Sequence, residues 1–134
     1  MNADQARPDL LESDLTEAIL GAFYAVYNEL GTGFVEGVYE SALAIELRMR
    51  EIGFLRQTHL QVTSRGRSVG EFRPDFVVGD RVIVEVKAVS ALSSAHDAQL
   101  VNYLKATGMQ VGLLLNFGAK PEFRRRVLSK ILSA

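Results

Sequence analysis

Arg73-Pro74-Asp75-Phe76-Val77-Val78-Gly79-Asp80-Arg81-Val82-Ile83-Val84-Glu85-Val86-Lys87 is the stretch on which the fold turns. Two aliphatic runs are separated by Gly79-Asp80, the signature of two strands joined by a tight turn. Valine and isoleucine dominate the second run, and branching at Cβ suits a pleated, buried surface. One strand is therefore expected over 68–78 and the next over 81–89. Side chains two apart on a strand share a face, so Glu85 and Lys87 point one way. Val82, Val84, Val86 and Ala88 point the other. An acid and a lysine on the inner strand of a small sheet are costly unless they serve each other or a metal.

Whether Asp75 joins them depends on the turn. A two-residue loop of Gly79 and Asp80 sets Asp75 opposite Val84, on the wrong face. A three-residue loop, or one bulge, sets it opposite Glu85 and on the same face. Pro74 lacks an N–H for the ladder, so an irregularity there is easily accommodated. In that second register two carboxylates and a lysine converge, the oxygen-rich donor chemistry that Mg²⁺ or Mn²⁺ takes. The plain alternative is a surface salt bridge between Glu85 and Lys87, with Asp75 uninvolved.

Outward from this hairpin the chain reads as alternating helices and strands. Ser13 or Asp14 is placed to cap a helix with Leu15, Ile19, Ala22, Val26 and Leu30 on its apolar side, ended by Gly31. The first eleven residues are expected to fray. A second helix is expected over 35–52, stopping at Gly53. One of its faces carries Val38, Ala42, Ile45, Met49 and Ile52; nearly opposite lie Glu36, Glu40, Leu43 and Leu47, with Tyr39 at the edge. Two apolar faces imply a helix covered on both sides, with Glu36 and Glu40 bordering buried space. Two acids four apart repel, and a nearby cation would relieve them.

Leu60 and Val62 mark a strand that turns near Gly66 into the one over 68–78. After the hairpin, Ser93 or Ser94 opens a helix to Thr107, stopped by Gly108, and 110–117 is a buried strand. Phe123, Val127, Leu128 and Ile131 have helical spacing, yet a short strand and a frayed end fit the tail as well. The order is α-α-β-β-β-α-β: a single mixed α/β domain over 1–134, its sheet flanked by helices. On the penultimate helix Gln99 and Tyr103 share a face, with His96 one turn earlier. An amide and a phenol suit holding a phosphate or orienting a lysine. His96 alone reads more simply as a helix N-terminal histidine.

Composition narrows the function. The 134 residues hold 48% hydrophobic side chains, enough for one core, and no cysteine, which excludes disulfides and thiolate metal sites. That accords with a cytoplasmic protein. Residues 1–12 lack the apolar core of a signal peptide, and no run nears the roughly 20 apolar residues that span a bilayer. Fifteen basic against 16 acidic residues leave a net charge of −1, which counts against tight, sequence-independent DNA binding by a monomer. Arg65, Arg67 and Arg73, and separately Arg124, Arg125 and Arg126, are local clusters that read equally as nucleic-acid contacts or as solvated surface.

Four short motifs then fall in one order. Pro74-Asp75 followed by Glu85-Val86-Lys87 resembles the P-D…E-x-K signature of the PD-(D/E)XK nucleases. Gln99-Leu100-Val101-Asn102-Tyr103 is similar to the Q-x-x-x-Y element of the RecB-like and lambda-exonuclease-like branch. Gly33-Phe34-Val35-Glu36-Gly37-Val38-Tyr39 resembles the motif of the small single-domain GxxExxY proteins of that superfamily. The likeness spans about 15–118. It implies a restriction-endonuclease-like core and hydrolysis of phosphodiesters assisted by Mg²⁺ or Mn²⁺. Asp75 and Glu85 would ligate the metal with the Val86 carbonyl, and Glu36 or Glu40 would complete the site. Lys87 would orient or deprotonate the attacking water, while Gln99 and Tyr103 would steady the phosphate or Lys87. RecB-like members often carry a histidine on the helix before the strands. This chain has none there, His59 and His96 lying elsewhere, and the upstream ligand is left between Glu36 and Glu40.

Two functions are compatible with these residues. One is a metal-dependent nuclease acting on DNA, with RNA as the alternative substrate. The other is a nuclease-fold binding module or subunit with weak or no catalysis, working with a protein or nucleic-acid partner. The intact Asp75, Glu85 and Lys87 favour the enzyme. The near-neutral charge favours the module, or a homo-oligomer that pools its basic patches.

Overall fold

The structure is a computed structural model, and it describes residues 11–128. Helix α1 (Ser13–Leu30) and helix α2 (Glu36–Met49) precede five short strands. These are β1 (Phe54–Arg56), β2 (Leu60–Ser64), β3 (Arg67–Phe72), β4 (Phe76–Val78) and β5 (Val82–Lys87). Helix α3 (Ser94–Thr107), β6 (Val111–Phe117) and β7 (Pro121–Val127) follow. The main sheet has the order β1-β4-β5-β6-β7, with β5 and β6 parallel and the other pairs antiparallel, so the mixed α/β expectation holds.

The alternation of β5 divides the core. Val82, Val84 and Val86 pack with Ile19, Phe23, Tyr39 and Leu43 of the helix pair on one face. Ile83 packs with Leu100, Leu104 and Leu114 on the other, under α3. Gly112 lets that helix approach: a Cβ there would lie 2.7 Å from Leu100 Cδ1. Gly112→Ala is expected to lower stability by about 1–3 kcal/mol through overpacking, which urea unfolding would measure.

Several expectations need correction. Three strands were expected between the second and third helices, and five are present. β1 is only three residues long, too short to show a period. The strand expected over 68–78 breaks at Arg73-Pro74-Asp75, because proline cannot donate to a ladder. Its first half pairs with β2 as a separate hairpin, and its second half enters the main sheet. Neither Ser13 nor Asp14 caps α1: Glu12 holds that position in a left-handed conformation, and its carboxylate meets Arg81 at 3.1 Å.

α2 is covered on one side only. Tyr39, Glu40, Leu43, Ala44 and Leu47 are buried, whereas Val38, Ile45 and Met49 are exposed. The ambiguous tail is a strand, since the open edge of β6 offers a ladder that a helix there would leave unpaired. Ile131, part of the helical alternative, lies outside the described residues. So does nearly all of the segment expected to fray, although Leu11 is buried. No described helix is long and apolar enough to cross a membrane.

Candidate active site

The β4–β5 turn decides which carboxylates meet. Val78 pairs with Val82, Val77 with Ile83 and Phe76 with Val84, so the loop holds three residues, 79–81. Continuing that register puts Asp75 opposite Glu85, which the two-residue turn would have forbidden. Glu85 is only 6% exposed, and its carboxyl lies within hydrogen-bonding reach of Asp75. Burial first, and then the charge and hydrogen bond of Asp75, push its pKa up to about 9; Lys87 and the Asp75 backbone offset this only in part. At neutral pH Glu85 therefore carries a proton. Asp75 Oδ2 accepts the Val86 N–H at 2.7 Å, which fixes the pair to the strand.

Lys87 is half-buried at the end of β5. Its charge acts on both Glu85 and Glu36, yet no ion pair joins it to either among the described residues. A simple Glu85–Lys87 salt bridge is thus not the arrangement present. Glu36, the first residue of α2, stands exposed at the rim. Its pKa is raised, by partial desolvation first and by Asp75 and Glu40, against the pull of Lys87.

Glu40 is buried but already engaged. Its Oε1 accepts from Gln57 Nε2 at 2.7 Å and from Arg56 at 3.3 Å. Gln57 Nε2 also reaches Asp75 Oδ1 at 3.4 Å. The two acids thus part ways: Glu36 faces the charges of the site, and Glu40 anchors a relay that ends on Asp75. Arg56 and Gln57 were missed from sequence, since β1 is too short to signal and Gln57 takes a positive φ between strands.

Tyr103 is half-buried and stacks on Phe72 with ring centroids 4.1 Å apart. Desolvation, then the charges of Glu85 and Asp75, raise its pKa, so it stays a neutral donor at the flank of the pair. Gln99 lies one turn earlier on α3, exposed and without a side-chain hydrogen bond among the described residues. His96 belongs to the helix cap: Ser93 N–H donates to its Nδ1 at 3.0 Å.

Each letter of the Gly33–Tyr39 motif has a local cause. Gly33 has φ 109°, which strains any side chain. Glu36 feels the charges of Lys87, Asp75 and Glu40. Tyr39 is fully buried, stacks on Phe117 at 4.4 Å and donates to Gly31 O at 2.6 Å, strapping the loop before α2. Asn116, also unremarked in the sequence, fixes the segment after Lys87: its side chain accepts from Val89 N and donates to Val89 O, both at 2.9 Å.

Two carboxyls in hydrogen-bonding reach offer hard oxygen donors, and a divalent charge is suited to replace the proton that Glu85 holds. Among the described residues no three carboxylates or imidazoles stand ready to hold an ion, so the pair alone is preformed.

The chain is similar to known proteins in two respects. The crystal structure of SSO0001 superposes with a TM-score of 0.55 at 17% identity, covering 91% of this chain and 61% of that one, a likeness of fold. No curated protein matches it. The family model of the PD-(D/E)XK nuclease superfamily matches residues 13–126, nearly all that the structure describes, and its restriction-endonuclease-like architecture is the mixed sheet seen here. The chain belongs to the PD-(D/E)XK nuclease superfamily.

Proposed function

We propose that this protein is a divalent-metal-dependent nuclease that hydrolyses phosphodiester bonds of nucleic acid, with DNA favoured and RNA the alternative substrate. The observation that carries the reading is the meeting of Asp75 and Glu85 on one sheet face, with Lys87 next along it. Asp75, Glu85 and Glu36 would hold Mg²⁺ or Mn²⁺, with the Val86 carbonyl or water completing the shell. When bound, the ion acidifies a water and shields the phosphate charge. Glu40 is better placed as a positioning residue, holding Gln57 against Asp75. Lys87 would orient the attacking water, and would serve as its base once the charge of a bound ion has driven off the lysine's own proton. Tyr103, kept neutral, donates to a phosphate oxygen, and Gln99 reaches the same anion from one turn away.

Calorimetric titration with Mn²⁺ tests the ligand set. Wild type is expected to bind, and Asp75→Ala or Glu85→Ala to weaken binding by at least about 100-fold. Superimposable curves in these variants would sink the assignment. A second reading, a binding module without catalysis, draws on the near-neutral net charge of −1 and on finding no preformed three-ligand group among the described residues. It predicts no nicking of plasmid and no loss of single strands under either metal.

A further inference from the structure

Ten arginines fall within the described residues, and their partners differ by region. Arg124 and Arg126 are both spent on Asp97, and Arg124 also meets Glu122. Arg125 reaches Leu11 O. Arg50, Arg56 and Arg81 pair with Glu46, Glu40 and Glu12, and Arg48 lies over the Phe54 ring. Arg65, Arg67 and Arg73 alone make no ion pair, side-chain hydrogen bond or ring contact among the described residues. All three are exposed. Arg65 and Arg67 flank Gly66 at the tip of the β2–β3 hairpin, and Arg73 ends it, beside Pro74 and Asp75.

The rest of the hairpin sharpens the pattern. Its own acid, Glu71, is paired with His59, so the arginines are not neutralised locally. Both strands are mostly exposed, and β3 carries one extra residue across from Val62 and Thr63, which tightens the ribbon's twist. Between the hairpin and α3 lies a cleft of about 710 Å³ lined by Val62, Val69, Phe72, Tyr103 and Lys105. Tyr103, which lines this cleft, also feels the charges of Glu85 and Asp75, so one side chain is common to the cleft and the carboxyl pair.

We infer that the β2–β3 hairpin is an arm that grips the backbone of duplex nucleic acid, with Arg65, Arg67 and Arg73 as phosphate contacts leading to Asp75. What lies at the inner end of the arm rests on the nuclease reading; the grip does not. A twisted two-stranded ribbon fits a groove of a duplex, and unpaired guanidinium groups suit phosphate. A single strand is disfavoured because its binding relies on exposed rings that stack on bases. The hairpin's one aromatic residue, Phe72, is buried against Tyr103. Six residues of β3 span about 20 Å at 3.3 Å each, so the tip would touch the duplex about six base pairs from the reacting phosphate.

The experiment is fluorescence anisotropy with a 30-base-pair duplex and the matching single strand, in EDTA over a range of salt. It compares wild type, Arg65→Ala/Arg67→Ala and Arg73→Ala. Arg81→Ala is the control, the same charge change as Arg73→Ala but at the far end of β5. Thermal melts check that the variants are folded, as exposed positions predict. The double variant is expected to bind duplex about tenfold more weakly at low salt. The slope of log Kd against log salt should shrink by about 2, and by about 1 for Arg73→Ala, with the control unchanged. Equal affinity and slope in wild type and double variant, no duplex binding by wild type, or equally tight single-strand binding overturns the inference. Because no metal is present, the arm can stand when cleavage assays fail. Cleavage of long duplex with unchanged KM in the double variant would remove the arm and leave the nuclease.

Discussion

Glu85→Gln is expected to make the metal-free protein more stable at pH 8, not less. The folded state holds the Glu85 proton up to about pH 9, while an ordinary glutamate releases it near 4.5. Between those values the folded chain binds more protons than the unfolded one. Its stability is therefore full below about pH 4.5 and declines as pH rises toward 9, by up to about 1.4 kcal/mol per pH unit. Glutamine keeps a donor for Asp75 and has nothing to ionise, so the slope should flatten and the variant should gain a few kcal/mol at pH 8. Urea unfolding in EDTA at pH 5 and pH 8 measures both. Parallel pH dependence in the two proteins would show that Glu85 ionises normally. Added Mn²⁺ should then restore the wild type at pH 8 and move the variant far less, since Asp75 and Glu36 remain but the carboxylate at position 85 is gone.

Lys87→Ala should lower cleavage by about 10²–10⁴-fold while Mn²⁺ affinity stays within a few-fold, if the lysine has the proposed role of proton transfer and is no ligand. Read from sequence, this change would also cost on the order of 3 kcal/mol without metal if Glu85 and Lys87 formed a buried pair, by stripping Glu85 of its counter-charge. The structure removes that expectation. Glu85 is protonated and makes no ion pair with Lys87, so the metal-free melting temperature should hardly change. Cleavage of plasmid DNA and thermal unfolding, measured side by side, decide the matter. Retained cleavage excludes Lys87 from proton transfer; a large fall in melting temperature would make it a structural partner.

What was legible in the sequence depended on contrast. β5 announced itself because branched residues alternate with Glu85 and Lys87, and α3 because Ser93 and Gly108 bracket it. The turn register could be stated only as a condition, since one residue in a loop changes no composition yet reverses every face. β1 and the break at Pro74 stayed hidden because three-residue strands have no period. α2 misled for the opposite reason. Val38, Ile45 and Met49 carry a clear apolar spacing, yet the core takes the face with Tyr39, Leu43 and Leu47. Glu36 and Glu40 were equivalent by spacing and became distinct only through Arg56 and Gln57, which a chain turn brings across.

The parallel pairing of β5 with β6 also bears on how the chain is made. During synthesis β4 and β5 can close as a hairpin, but the other edge of β5 waits until α3 and β6 have followed. Parallel pairings form slowly and leave sticky edges meanwhile. For that interval Val82-Ile83-Val84 and Val86 are an aggregation-prone run, interrupted only by Glu85 and Lys87. The two residues assigned to chemistry are thus also the gatekeepers of the nascent strand. Variants that neutralise either one should be produced at low temperature and judged by their soluble fraction before any loss of cleavage is read as a loss of mechanism.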